Sequence, residues 1–201
     1  RYFFCLPILL MVSIYQRGKS AFVIKSKFGL GLRTFFGLLS FGSLFAALQY
    51  IDLSLMTTLL QTMPLFVTIF APILIREYVD IYKILLALSG FLGVILILNP
   101  VTDGSFNKGI ILGLMCPIFG SLMLISLRKL GQTDHPTSTA LWYNMFGAFI
   151  FLLICIVNQY PWPKSENMFL ILLIIGIATS FQQICLSYSH KFAPATLLAP
   201  L

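Results

Sequence analysis

The chain has 201 residues, of which 59% are hydrophobic and 9% are charged. A soluble domain carries about 25% charged residues. This composition therefore excludes a soluble enzyme, a disordered chain and a secreted disulfide scaffold. The net charge of +7 arises from 13 Lys and Arg against 6 Asp and Glu. The basic residues lie between apolar runs and lack interleaved stacking aromatics, so they indicate membrane topology and no nucleic-acid partner.

Charge-free apolar runs predict an all-α, polytopic bundle of transmembrane helices. A helix needs about 20 largely apolar residues to span a bilayer. Continuous runs rich in Leu, Ile and Phe favour helices over the alternating strands of a barrel. In chain order the runs lie at 2–16, which is the end of a helix, and at 34–51, 53–75, 84–102, 109–127, 139–157, 167–189 and from 195 onward.

Basic residues are distributed unevenly among the loops between these runs. Counting Arg33 at the end of the first loop, the odd-numbered loops hold ten Lys and Arg, whereas the even-numbered loops hold only Lys108 and Lys164. Cytoplasmic loops of membrane proteins carry the excess of Lys and Arg. This bias predicts that loop 17–33 is cytoplasmic and that loop 158–166 is external.

A weak internal repeat links the two halves of the chain. Leu48–Leu60 matches Leu186–Leu198 at five of thirteen positions, with an offset of 138 residues. Partners in this repeat are separated by five helices, so the second copy is inserted upside down. Inverted repeats are typical of secondary transporters, whose substrate site lies near the midplane.

Uncharged polar side chains inside the spans are the candidate substrate-binding residues. Thr57, Gln61 and Pro64 share one stripe of the span 53–75. Pro64 lacks an N–H and can break the helix at this point. The alternative for such residues is hydrogen bonding between helices, which is worth about 0.6 kcal/mol per contact on average. Buried glutamines need partners and favour a cavity.

The remaining candidates lie on three other spans. Gln183 shares a stripe with Ser180 and Ser187 on the span 167–189, and it is the second glutamine that we place in the path. The other residues of this kind are Gln49, Tyr50 and Asn144.

Cysteine and glycine patterns point to packing. Cys5, Cys116, Cys155 and Cys185 all lie in apolar runs without a CxxC pair. The motif Gly109–Gly113 and the pair Gly90 and Gly93 predict close helix contacts. No metal-ligand or nucleophile motif is present, so we expect no metal, no cofactor and no catalytic site.

Four segments resemble the EamA-type drug/metabolite transporter superfamily: Ala47–Phe66, Ile75–Glu77, Gly90–Pro100 and Ser189–Leu201. The resemblance implies ten helices in two inverted five-helix repeats, with both termini cytoplasmic. On that pattern the chain is an internal fragment. Residues 1–100 hold helices two to five, and residues 108–201 hold helices six to the start of nine. Arg1 falls at the family's arginine on the second helix and joins the substrate-binding candidates.

The resemblance and the repeat together predict a secondary transporter that moves a small metabolite or drug-like solute by alternating access. Bacterial members look most similar, which implies a multi-pass protein of the bacterial inner membrane. Its expected partners are the lipid bilayer and a small-molecule substrate, and a homodimer is left open. The alternatives are a channel, a membrane-embedded structural subunit or a membrane-embedded enzyme.

Overall fold

The computed structural model describes residues 2–76, 79–98, 108–159 and 166–198, and these ranges are helical without strands. The all-α fold is therefore confirmed. Within these ranges five stretches are long and apolar enough to cross a membrane: Lys27–Ala47, Leu53–Ile75, Lys108–Gly131, Pro136–Val157 and Glu166–Phe192. In chain order the helices are α1 (Tyr2–Arg17), α2 (Lys27–Ala47), α3 (Leu53–Leu60), α4 (Met63–Ile75), α5 (Ile81–Leu98), α6 (Lys108–Gly131), α7 (Pro136–Val157), α8 (Glu166–Phe192) and the short α9 (Ala195–Leu198), with a 3₁₀ turn at Gly18–Phe22.

Helix α2 begins at Lys27, seven residues before the predicted span at 34. The prediction that Arg33 belongs to the preceding loop is therefore wrong, because the residue lies inside the helix. The helix begins earlier because the Asp134 carboxylate accepts the backbone N–H groups of Lys25 and Ser26 just before its first turn, at 2.6 and 3.0 Å. Such an acceptor satisfies donors that a helix start leaves without an internal partner.

The span 53–75 is interrupted near its middle. Helix α3 ends at Leu60 and α4 begins at Met63. Pro64 has no N–H to donate to the carbonyl of Leu60, so the regular ladder stops here. The chain closes the gap with a tighter turn, in which the Thr62 N–H donates to the carbonyl of Leu59 at 3.0 Å. The break predicted around Pro64 is thus present at Gln61 and Thr62.

The chain forms two compact units, and each combines parts of both sequence halves. Unit 1 consists of Arg1–Thr34 and Leu130–Phe192, and unit 2 consists of Phe35–Lys129 and Ala193–Leu201. The division into repeats at 1–100 and 108–201 stays a prediction.

Unit 1 is held by helix α1 packing against α7 and α8. Its apolar core joins Cys5 and Leu9 of α1 to Ala140 and Leu141 of α7. Close approach is possible because α8 carries Gly176, where an added Cβ would lie 2.9 Å from the main-chain carbon of Phe4. The absence of a side chain at this position lets the two backbones meet.

Unit 2 has an apolar core around Ala47, Met56 and Cys116. Helix α6 presents Gly109 and Gly113 to residues of the α2–α3 region, so the packing role predicted for this motif is confirmed. The same prediction is wrong for Gly90 and Gly93. Within the described part of the chain, a Cβ added at either position would meet nothing within 4 Å.

Candidate functional site

A buried arginine marks the polar interior of unit 1. Arg33 is 1% exposed, although it lies only six residues, or about 9 Å, from the start of α2. Its Nη2 donates to Oε1 of Gln183 and to Oγ of Ser187, both at 3.3 Å. Its Cζ lies 5.1 Å from the centre of the Tyr143 ring, within the range of a cation–π interaction. We call these four residues the Arg33 cluster.

The Arg33 cluster contains more donors than acceptors. A guanidinium carries five N–H donors. Nη2 uses two of them, while Nε and Nη1 are buried and have no hydrogen-bond partner among the described residues. Three donors on a buried cation therefore lack acceptors in the described part of the chain. The only acceptors that the cluster supplies are neutral.

Two sequence-predicted residues lie in this interior. Gln183 belongs to the Arg33 cluster, and the predicted stripe is present because Ser180, Gln183 and Ser187 are all buried. Asn144, beside Tyr143 in the chain, is fully buried and donates from Nδ2 to the Ala140 carbonyl at 2.9 Å. Its Oδ1 has no donor within the ranges that the structure describes. The two residues are thus polar groups of unit 1.

Unit 2 contains a cavity of about 330 Å³ beside the break between α3 and α4. It combines one amide and three hydroxyls with an otherwise apolar wall. We call it the helix-break cavity. Its lining residues are Gln61, Thr62, Pro64, Leu65, Thr68, Leu86, Ala87, Gly90, Thr196 and Leu197.

The structure brings two predicted residues, Gln61 and Pro64, to the helix-break cavity and leaves three others outside its lining. Thr57 is exposed, and its hydroxyl donates to the carbonyl of Ser54 at 2.8 Å in its own helix. Gln49 and Tyr50 are exposed in the turn after α2. Arg1 lies outside the described residues.

A second polar layer lies at the start of α7. Arg17 donates from Nη1 to Ser138 Oγ at 3.1 Å, and Nδ1 of His135 lies 2.8 Å from the Thr137 hydroxyl. The pKa of His135 is lowered from its usual value by partial burial and by the positive charges of Arg17 and Lys191. Across the described ranges no group of three His, Cys, Asp or Glu side chains could hold a metal ion.

Arg33 is the functional candidate that the sequence analysis missed. A charged residue ends a charge-free run, so the hydropathy pattern predicts a span that begins at residue 34. The sequence held a contrary signal, because Phe28, Leu30 and Leu32 continue the apolar pattern on the N-terminal side of Arg33. A single cation flanked by apolar residues on both sides is typical of a functional intramembrane charge.

Comparison with known proteins identifies the class. The profile of the EamA-like transporter family matches residues 1–99 and 107–201. The chain therefore belongs to the EamA-like transporter family and is a multi-pass membrane protein. No solved structure matches it significantly.

Similar individual proteins are bacterial. An uncharacterized transporter of Helicobacter pylori is 28% identical over 86% of this chain and 59% of its own length. A riboflavin transporter of Vibrio cholerae is 29% identical over 71% of the chain and 47% of its own. The pseudopaline exporter CntI of Pseudomonas aeruginosa is 25% identical over 77% and 54%. The chain thus spans about half the length of the curated relatives it matches.

Proposed function

We propose that this chain forms part of a secondary transporter that moves a small metabolite or drug-like solute across a bacterial inner membrane. Membership of the EamA-like transporter family supports this proposal, as do bacterial relatives named as a riboflavin transporter and a pseudopaline exporter. These two relatives are named for different substrates. We therefore propose only that the substrate of this chain is a small molecule, and we assign neither named substrate to it.

The observation that carries the proposal is the helix-break cavity. Secondary transporters form their binding sites from interrupted helices near the midplane of the bilayer. Here the interruption at Gln61 and Thr62 lies in the middle of the 23-residue span Leu53–Ile75 and lines the cavity. A volume of about 330 Å³ lies within the range of about 300–1,000 Å³ that small-molecule sites occupy.

The proposed mechanism is alternating access between two inverted repeats, at residues 1–100 and 108–201. In such proteins one repeat moves against the other around a fixed site. A channel would conduct without this cycle. Saturation of the transport rate at high substrate concentration distinguishes the carrier from a channel.

The proposal assigns transport and no catalysis to the chain. A structural subunit would show no flux when the full-length protein is the only protein in a liposome. A homodimer stays a hypothesis, which light scattering of the detergent-solubilised full-length protein tests.

The decisive experiment is transport by the full-length protein with Gln61→Ala. We expect the rate at low substrate concentration to fall about fivefold, since one hydrogen bond is worth about 1 kcal/mol. The amount of folded protein should stay constant, because Gln61 lines the cavity and is not buried. The substrate is first identified by thermal-shift screening of metabolites.

Thr57→Val is the matched control. Thr57 lies one turn before Gln61, but it does not line the cavity and its hydroxyl bonds within its own helix. We expect normal transport from this variant. Normal kinetics for Gln61→Ala, or equal losses for both variants, would remove the helix-break cavity from the transport path.

A further inference from the structure

We propose that the Arg33 cluster binds a carboxylate or phosphate group of the transported molecule, which makes the substrate an organic anion. This inference rests on the proposed transport function and names the substrate class for it. The starting observation is the excess of donors. Three N–H groups of a guanidinium that is 1% exposed have no acceptor among the described residues.

An unpaired cation in this position is costly. Removing one partner from a buried ion pair destabilises a protein strongly, because the other charge stays behind without compensation. Arginines near helix ends usually avoid this cost by extending their charged end to the interface. Arg33 does not do so, although the start of α2 is only two turns away. The position is therefore occupied by a charge for a reason other than packing.

Unit 1 offers no carboxylate to this charge. Asp134 and Glu166 are the only acidic residues in its sequence ranges. Both carboxylate oxygens of Asp134 already accept backbone N–H groups, from Lys25 and Ser26. Glu166 lies 17 residues before Gln183 on α8, which corresponds to about 26 Å along the helix.

The cluster instead has the features of an anion site. Gln183 and Ser187 hold one end of the guanidinium, and Tyr143 lies against its face. These contacts fix the orientation of the side chain and leave Nε and Nη1 for another group. Arginine is the residue best suited to oxyanions, because its planar donors match carboxylate and phosphate geometry.

Burial favours a transported molecule over a lipid headgroup as the source of the anion. The side chain is 1% exposed, so an anion reaches it only when the helices move. Alternating access supplies such a movement in each cycle. A lipid headgroup would instead require an arginine that is accessible from the bilayer interface.

The test measures thermal unfolding of the delipidated full-length protein in detergent. The variants are Arg33→Met and Arg33→Gln, and Arg17→Gln is the control. Arg17 belongs to the same unit and donates a hydrogen bond to Ser138 of α7, but it lies outside the Arg33 cluster. The probes are acetate, succinate, citrate and inorganic phosphate, each compared with sodium chloride at equal ionic strength. Phosphatidylglycerol forms a separate arm.

We expect two results. Without added anions, both Arg33 variants should unfold at the same temperature as the wild type or at a higher one, because they remove an uncompensated charge. At least one carboxylate or phosphate should raise the unfolding temperature of the wild type and of Arg17→Gln. This shift should be lost in both Arg33 variants.

The other outcomes overturn the inference. If both Arg33 variants fail to fold or unfold at a lower temperature, the arginine is paired with an acid elsewhere in the full-length protein. If none of the four anions stabilises the wild type, or only phosphatidylglycerol does, the cluster is not a substrate site. Those results would overturn the anion site but would still agree with a transporter of neutral solutes. The Gln61 experiment tests transport itself.

Discussion

The polar side chains of the two units bond to different kinds of partner. In unit 1 many of them connect segments that are distant in sequence, as Arg33 does with Gln183 and as Asp134 does with Lys25, although Asn144 bonds within its own helix. In the described part of unit 2 most of the hydroxyls bond within their own helix, as Thr57 does to Ser54 and Thr68 does to Pro64.

The two units also differ in what packs against their glycines. The backbones of α1 and α8 meet at Gly176 in unit 1, whereas Gly113 in unit 2 faces the ends of flexible side chains. Unit 2 also contains a helix break and a cavity. Unit 1 therefore holds the Arg33 side chain by contacts from two other helices, whereas unit 2 contains the cavity in which we propose that a solute binds. Three pairs of substitutions test this difference.

The largest effect is expected at Gly176. A Cβ added there would lie 2.9 Å and 3.0 Å from the main-chain carbon and oxygen of Phe4, so α1 has to move. Overpacking of this kind costs about 1–3 kcal/mol, occasionally more. We expect Gly176→Ala to lower the unfolding temperature and the yield of the full-length protein, both measured by size-exclusion chromatography after heating.

The matched change in unit 2 is Gly113→Ala. Its added Cβ would meet Leu59 Cδ1 at 2.6 Å, which is the far end of a side chain that can rotate. The gain in helix propensity of about 1 kcal/mol offsets part of the cost. Equal losses for the two variants would show that the units do not differ in rigidity.

An intermediate effect is expected at Asp134. Hydrogen bonds to a charged group are worth about 1.5–3 kcal/mol each, and Asp134→Ala removes two of them from the segment before α2. We expect a clear fall in the unfolding temperature. Asp134→Asn should lie between this variant and the wild type, because one of its side-chain oxygens remains.

Thr68→Val is the counterpart in unit 2. The Thr68 hydroxyl donates at 2.8 Å to the Pro64 carbonyl, one turn earlier in the same helix. Removing it should change stability by less than about 1 kcal/mol, since the helix ladder serves that carbonyl without the hydroxyl. If Thr68→Val lowers the stability as much as Asp134→Ala does, then the hydroxyls of unit 2 also stabilise the fold.

The sequence predicted the helices better than the contacts between them. Hydropathy depends on each segment alone, so the described ends of most predicted spans agree with the helices to within four residues. The break at Pro64 was also predictable, because a missing N–H is a local property.

The Arg33 cluster was not predictable in the same way. Arg33 and Gln183 are 150 residues apart, and only the packing of the helices shows that they meet. Charge alone assigned Arg33 to a loop. The packing predicted at Gly90 was wrong for a related reason. A short glycine motif indicates close packing, but it does not show whether another helix lies against it, and no described atom of another helix lies within 4 Å of a Cβ added there.

The smallest effect on stability, with a clear effect on transport, is expected from Gly90→Leu. Gly90 lines the helix-break cavity, and an added Cβ would meet nothing within 4 Å in the described part of the chain. The Cβ of a leucine therefore has room at this position, and leucine favours the helix. Its side chain would occupy part of the cavity of about 330 Å³ and exclude the solute. We expect transport by the full-length protein to fall while its unfolding temperature stays the same or rises.

Gly93→Leu is the matched control for this experiment. Gly93 lies on the same helix and is equally free of close neighbours in the described structure, but it does not line the cavity. Both substitutions add the same side chain to α5, so a general effect on that helix would appear in both. Loss of transport in Gly90→Leu alone requires the cavity itself to be in the path. Normal transport by Gly90→Leu would remove the helix-break cavity from the transport path.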